Sequence, residues 1–196
     1  PGMGISFTKT EISGNPALKY VNEYIPEKSG TSNFSIKGTE PLDFSKGALL
    51  LSYDVTPQSN LTWLGDGAKS NILIPTLRIG STGISQLSII EHGGIKAAYK
   101  TAPTAWGRSA YLTGWENNTL VADTTVKFQL LLEKEGNQIT ATQYINEKPV
   151  YYTLSDEAKL ASVTVDITEE ELAKEWTLTM AGRRFPNGLV FDNFHI

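Results

Sequence analysis

The residues of this chain best suited to chemistry are aromatic, amide and charged side chains gathered in one segment. Trp106, Tyr111 and Trp115 lie within ten positions of one another, among glycine, proline and asparagine residues typical of loops. Sugars present apolar C–H faces edged by hydroxyls, so their sites combine aromatic platforms with planar hydrogen-bonding groups. The alternative is that these large rings only plug one end of the fold. The sequence predicts a carbohydrate-binding site formed by Trp63, Trp106, Arg108, Tyr111, Trp115, Glu116 and Asn117.

Motifs for catalysis are missing from the sequence. An E-x-D-x-E triplet, which would place paired acids on one side of a strand for glycoside cleavage, does not occur. The serine nucleophile motif G-x-S-x-G and the phosphate loop G-x-x-x-x-G-K-[ST] are absent too. Two histidines are too few for a histidine metal cluster. Catalysis is therefore disfavoured, and a small glycan-cleaving enzyme using Arg108, Tyr111 and Glu116 is kept as an alternative.

Composition narrows the class of protein and its partners. The chain has 196 residues, of which 40% are hydrophobic and 19% charged, a balance that excludes a disordered chain. Its net charge of -4 argues against a nucleic-acid partner, because phosphate backbones attract basic surfaces. It has no apolar run of the roughly 20 residues that a membrane span requires. The absence of cysteine excludes disulfides and thiolate metal sites.

The elements that must position any site are predicted to be short strands. Apolar and polar residues alternate in many runs that turn residues separate, a pattern typical of half-buried strands. Strands are predicted at 48–56, 72–79, 126–132, 139–144, 150–154, 163–167, 176–180 and 189–196. The runs at 126–132, 139–144 and 150–154 predict a three-stranded antiparallel meander. Pro75 predicts an edge position or a bulge, because proline cannot donate to a ladder.

Helices are predicted to be few and short. Thr168 followed three positions later by Glu171 indicates a capping box at a helix start. A second short helical turn is predicted at 156–160. Neither segment could form a crossover between parallel strands, so the sequence predicts an all-β fold. We expect one antiparallel two-sheet β-sandwich over residues 1–196, with residues 1–4 as a cloning remnant and both ends as cuts within a longer protein.

Three segments resemble concanavalin A-like (laminin-G-like) sandwich domains. Residues 144–150, YINEKPV, resemble a hairpin of the form Y-(V/I)-N-G-K-x-V. Residues 188–196, GLVFDNFHI, resemble the closing strand of such domains, and residues 46–57 resemble an early strand. The three segments occur in the family's order. In one departure, glutamate replaces the turn glycine at Glu147, and because glutamate resists positive φ we expect a different turn type.

The resemblance implies a jelly-roll fold and a lectin-like role. It favours a non-catalytic carbohydrate-binding module of a larger secreted or surface bacterial protein, with a polysaccharide or glycan as partner. The alternative is an accessory sandwich that packs on a neighbouring catalytic domain. We expect an extracellular or cell-surface location.

The resemblance also suggests a structural calcium ion. It favours Asp192 as a ligand, with N-terminal residues such as Glu11 as partners. Asp66 and Asp123 are alternatives, since calcium sites are built from carboxylate and carbonyl oxygens. The sequence contains no D-x-D-x-D-G loop.

Overall fold

Alternating apolar and polar residues form strands through most of the described chain. The computed structural model describes residues 5–12, 14–22, 32–59, 72–85, 89–90, 96–98, 109–113, 121–154, 157–183 and 185–196. Its strands are β1 (Ile5–Ile12), β2 (Asn15–Asn22), β3 (Ser32–Lys37), β4 (Leu49–Pro57), β5 (Ile72–Ile79), β6 (Thr82–Ser85), β7 (Ile89–Ile90), β8 (Lys96–Ala98), β9 (Ser109–Thr113), β10 (Val126–Glu135), β11 (Gln138–Ile145), β12 (Lys148–Pro149), β13 (Tyr151–Leu154), β14 (Glu157–Leu160), β15 (Ser162–Asp166), β16 (Trp176–Arg183) and β17 (Phe185–His195). The helix α1 spans Glu169–Leu172. Among the described helices, none has the length and apolar character that crossing a membrane would demand.

The described strands form antiparallel sheets. The largest has eight strands in the order β1-β2-β17-β4-β10-β11-β12, with β15 also pairing with β11. A five-stranded sheet has the order β3-β16-β5-β6, with β7 also pairing with β5, and a smaller sheet has the order β14-β13-β9-β8. The predicted antiparallel β-sandwich is therefore confirmed.

The core lies between the eight-stranded and five-stranded sheets. Leu51, Tyr53 and Val55 alternate along β4 and are buried, as the sequence pattern predicts. The rings of Tyr53 and Phe128 stack with centroids 5.7 Å apart across β4 and β10. The Tyr20 hydroxyl donates a hydrogen bond of 3.1 Å to the Gly182 carbonyl in the opposite sheet. The other faces of the same strands are consequently free to carry a polar surface.

Two predictions about these elements are corrected. The strand predicted at 150–154 is present as β13, but only β12 continues the meander along β11, and β13 joins β9 and β14 in the smaller sheet. Strand β15 pairs with β11 in its place. Residues 157–160 form the strand β14 and not a helical turn. Pairing with β13 overrides the helix-forming composition of residues 157–160, and pairing with the distant β9 decides which sheet β13 joins.

Pro75 does not lie on an edge strand. It faces Met180 of β16 on one side. On the other side β6 pairs from Thr76 and β7 pairs up to Leu73, so Pro75 lies opposite the interval between these two partners. A residue without an N–H donor is tolerated at such an interruption.

The start of α1 is confirmed, with one change. The Thr168 hydroxyl accepts a hydrogen bond of 3.2 Å from the Glu171 amide, as an N-cap does. The Glu171 carboxylate does not return to Thr168 as a capping box would require. It accepts a hydrogen bond of 2.5 Å from the Ser81 amide and pairs with Lys174 at 2.5 Å. These contacts tie α1 to the turn that follows β5, and they lower the pKa of Glu171 to about 2, chiefly through Lys174 and then Ser81.

Candidate functional site

A β-bulge in the last strand brings together the polar groups of the candidate site. Asp192 faces Asp54 across the β17–β4 ladder, but the next recorded pair is His195 with Ser52, so β17 carries one extra residue there. Asn193 takes up this extra position with a left-handed φ of 50°. Its side-chain Nδ2 donates to Asp54 Oδ2 at 2.8 Å, and its backbone N–H donates to Asp192 Oδ1 at 2.7 Å.

The bulge also keeps the following aromatic residue on the inner face. Phe194 stacks on Tyr53 with ring centroids 5.7 Å apart and on Phe191 at 6.3 Å. Without the extra residue the alternation of the strand would turn Phe194 away from the core, since side chains change face at every position. The ring of Phe194 therefore lies on the inner face of the strand, and the carboxylates of Asp192 and Asp54 lie on the outer face.

Three charged residues form a row on the face away from the core, which we call the outer-face row. Asp192, Asp54 and Lys127 are successive partners across β17, β4 and β10. Asp192 is 9% exposed, and Asp54 Oδ1 is buried with no hydrogen-bond partner. A buried acceptor left unsatisfied costs about 1–3 kcal/mol, and more when it is charged. The row therefore contains a buried carboxylate oxygen whose hydrogen-bonding capacity is unused within the protein.

A strained turn holds the lysine of this row. Asn146 and Glu147 both have positive φ, 49° and 66°, so the predicted change of turn type is wrong and the type I′ geometry is kept. Hydrogen bonds support it: the Glu147 amide donates to Gln129 Oε1 at 2.9 Å, and Asn146 Oδ1 accepts from the Lys127 amide at 2.9 Å. The Glu147 carboxylate pairs with Lys127 Nζ at 3.0 Å and raises the pKa of Lys127. The ammonium of Lys127 is thus engaged by Glu147.

A cleft of about 400 Å³ opens beside the bulge, and we call it the β17 cleft. It is lined by Lys9, Pro16, Ala17, Leu18, Phe191, Asp192, Asn193 and Phe194. Its volume falls within the range of small-molecule sites, which are mostly apolar with a few placed polar groups. A half-buried phenyl ring, a carboxylate and an ammonium line this cleft, and groups of these kinds occur in sugar-binding sites.

A second cavity, of about 490 Å³, lies near α1. It is lined by Leu42, Phe44, Ser45, Lys134, Glu169, Leu172 and Ala173. Although it is the larger cavity, Lys134 and Glu169 already satisfy each other at 2.9 Å. The β17 cleft is the stronger candidate because Asp192, which lines it, is the ladder partner of Asp54, whose Oδ1 lacks a hydrogen-bond partner.

Most of the site predicted from the sequence lies elsewhere in the chain. Trp63, Trp106, Arg108, Trp115, Glu116 and Asn117 are outside the described residues, as is Asp66. Tyr111 lies in β9 opposite Lys96, where only the course of the backbone is described. The aromatic loop site therefore stays a prediction.

The structure does not bring Glu11 and Asp192 together. Glu11 pairs with Pro16, whereas Leu18 pairs with both Lys9 and Phe191. Side chains two positions apart share a face, so Glu11 lies on the face of Phe191, and Asp192 lies on the opposite one. Within the ranges that the structure describes, no three His, Cys, Asp or Glu side chains cluster as metal ligands would. Asp123 is exposed and has a φ of 57°, and calcium binding stays a prediction.

Sequence reasoning missed Asp54, Asn193 and Phe194. Alternation along β4 does place Asp54 on the outer face, and FDNF at 191–194 has the composition of a binding strand. The missing information was the register between β4 and β17, which are far apart in the chain. That register alone shows that Asp54 and Asp192 are partners.

Comparison with known proteins gives similarity of fold. No protein-family model and no curated protein matches the chain. Among solved structures, it is similar to the carbohydrate recognition domain of Emp46p, at 8% identity over 95% of this chain and 83% of that chain, with a TM-score of 0.47. It is similar to an endo-1,3-beta-glucanase from Streptomyces sioyaensis, at 10% identity over 91% and 76%, with a TM-score of 0.49. It is also similar to lectin I-B4 from Griffonia simplicifolia, at 8% identity over 95% and 88%, with a TM-score of 0.37.

At these identities the similarity concerns the fold alone. The antiparallel β-sandwich that the sequence predicts is confirmed by the sheets and their order, and the concanavalin A-like assignment stays a prediction. The chemistry of the site must be argued from its own residues.

Proposed function

We propose that this chain is a non-catalytic carbohydrate-binding module that holds a glycan in the β17 cleft. The observation that carries the proposal is the acidic pair of the β17–β4 ladder: Asp192 lines the β17 cleft, and Oδ1 of its partner Asp54 is buried without a hydrogen-bond partner. A sugar hydroxyl is a donor that can satisfy this oxygen. Phe194, a half-buried ring that also lines the cleft, would offer an apolar surface to C–H groups of the sugar.

The surroundings of the cleft favour recognition of hydroxyl groups. Asn193 is held by its contacts with Asp54 and Asp192, so the carboxylates are fixed before a ligand arrives. Fixed polar groups lower the cost of ordering on binding. The exposed Lys9 at the cleft can donate to further hydroxyl oxygens.

The proposal includes the wider setting predicted from the sequence. The module would act outside the cell or at its surface, as part of a longer secreted protein whose other domains could contact it. Trp106 and Trp115 would contribute to glycan binding, as the sequence predicts, and calcium at Asp192 would be a structural addition. The contributions of the two tryptophans and of calcium are tested below.

The central experiment compares two matched aspartates by glycan array and calorimetry. Asp54 accepts from Asn193 Nδ2 at 2.8 Å, and Asp166, on the outer face of the same sheet, accepts from Gln138 Nε2 at 2.8 Å. A hydrogen bond to a charged group contributes about 1.5–3 kcal/mol, so Asp54→Asn should weaken binding by about 10- to 100-fold. Asp166→Asn should bind like the wild type.

Three further arms complete the experiment. Wild-type protein that binds no glycan would contradict the proposal, as would equal affinities of wild type and Asp54→Asn for the same glycan. Trp106→Ala and Trp115→Ala test the predicted loop contribution. Titration with calcium chloride after treatment with EDTA tests the calcium prediction, which fails if neither thermal stability nor glycan affinity changes.

A further inference from the structure

The strand β14 presents an exposed edge. It is the last strand of the order β14-β13-β9-β8, and within the described ranges it pairs with β13 alone. All four of its residues, Glu157 to Leu160, are exposed. An edge strand carries backbone N–H and C=O groups that a further strand can use, so folds normally cover or protect such edges.

An exposed apolar pair lies next to this edge. Tyr151 and Leu160 are direct partners across β13 and β14, and they are 41% and 40% exposed. Ala158 lies two positions from Leu160 and therefore shares its face. The edge thus offers a short apolar stripe together with its free backbone groups.

The charges of β14 are self-complementary. Glu157 and Lys159 flank Ala158 on the other face of the strand, and their side chains are 78% and 52% exposed, respectively. Lys159 Nζ lies 3.8 Å from Glu157 Oε2. If a second copy of the strand pairs antiparallel about a two-fold axis at Ala158, each Glu157 faces the Lys159 of the other copy. Directly opposite charges stabilise an antiparallel pair, and like charges destabilise it.

We propose that two copies of this chain associate through β14, joining their smaller sheets into one antiparallel sheet. The two-fold axis passes at Ala158, so the same residues of both copies meet, as in most homodimers. Backbone hydrogen bonds supply the affinity, as in strand addition to a sheet edge, and the two Glu157–Lys159 pairs fix the register. The Tyr151–Leu160 stripes of the copies become continuous across the new sheet.

The test is a charge swap followed by sedimentation analysis. The mass of the wild type is measured by analytical ultracentrifugation in a dilution series from about 1 mM downwards, because interfaces smaller than about 1,200 Å² are weak. The wild type should shift from the 21.5 kDa monomer towards twice that mass as concentration rises. Lys159→Glu and Glu157→Lys should each weaken the dimer at least tenfold, since like charges then face each other.

The double variant distinguishes strand pairing from other contacts. Glu157→Lys combined with Lys159→Glu restores opposite charges at both positions and should restore the dimer to within about threefold of the wild type. Lys46 is an exposed lysine in a turn outside β14. Lys46→Glu changes the net charge by as much as Lys159→Glu does and should leave the dimer unchanged. A wild type that is monomeric at the highest concentration, a double variant that stays monomeric, or an equal effect of Lys46→Glu would each overturn the proposal.

Discussion

Two glutamines on neighbouring strands are both buried but differ in their hydrogen bonds. Gln129 of β10 is 8% exposed, and its Oε1 accepts the Glu147 amide at 2.9 Å. Gln143 of β11 is 3% exposed, faces the core opposite Leu130, and has an Nε2 without a hydrogen-bond partner. Substitution of each by methionine, which has a similar length and no amide, should therefore change stability in opposite directions.

The expected magnitudes follow from these contacts. A buried donor without a partner costs about 1–3 kcal/mol, so Gln143→Met should raise the free energy of unfolding by about 1–2 kcal/mol. Gln129→Met removes one hydrogen bond, worth about 1 kcal/mol, from a turn whose Glu147 already has a φ of 66°. It should therefore lower the free energy of unfolding by about 1 kcal/mol. The two variants should differ by about 2–3 kcal/mol.

Urea unfolding monitored by far-UV circular dichroism measures this difference. Similar m-values for both variants and the wild type would show that the folded and unfolded states keep their compactness. For a chain of this size, 1 kcal/mol corresponds to about 2–4 °C in Tm, so the difference is also visible by calorimetry. If Gln143→Met destabilises the protein as much as Gln129→Met does, the unpaired amide of Gln143 does not lower the stability of the fold, and the reasoning fails.

Three shorter predictions concern the framework around the site. Wild-type stability should fall as pH drops from about 4.5 towards 2, because the folded-state pKa of Glu171 is lowered to about 2. Glu171→Gln has no carboxylate to accept the Ser81 hydrogen bond, so it should flatten this part of the stability–pH curve. Urea titrations at several pH values measure the curve. Gly38→Ala should cost about 1–3 kcal/mol in chemical denaturation, since a Cβ there would overlap the Trp176 indole, and an unchanged midpoint would contradict that packing. Glu147→Gly should raise the free energy of unfolding by up to about 1 kcal/mol, because glycine adopts the left-handed backbone without strain and the exposed ion pair that is lost contributes little. A lower Tm in thermal unfolding would show that the ion pair contributes more than the strain costs.

The strands could be predicted from sequence where their pattern is local. Alternation along β4 and β11 is visible in short windows, and both strands lie where that pattern indicates. Residues 157–160 show the limit: EAKL contains good helix formers, and it is a strand because it pairs with β13. Residues 150–154 have a strand-like sequence, but nothing local shows which sheet they join.

The candidate site could be predicted only in its chemistry. Aromatic, carboxylate and amide groups were the expected components, and the β17 cleft contains phenyl, carboxylate and ammonium groups at other positions of the chain. The partnership of Asp54 with Asp192 depends on a ladder between strands that are distant in sequence. Local composition carries no information about such a register, which is set by packing of the inner faces.

The bulge at Asn193 explains why a binding site and a well-packed core can share one strand. Val55 and Phe191 are partners on the inner face, so their neighbours Asp54 and Asp192 must point outward. Ordinary alternation would then turn residue 193 inward and Phe194 outward. The extra residue at Asn193 resets the alternation and keeps Phe194 against Tyr53. The cost is one non-glycine residue in a left-handed conformation, of order 1–3 kcal/mol, offset in part by its hydrogen bonds to Asp54 and Asp192. The extra residue thus serves the packing of Phe194 in the core and the fixed position of the acidic pair at the same time.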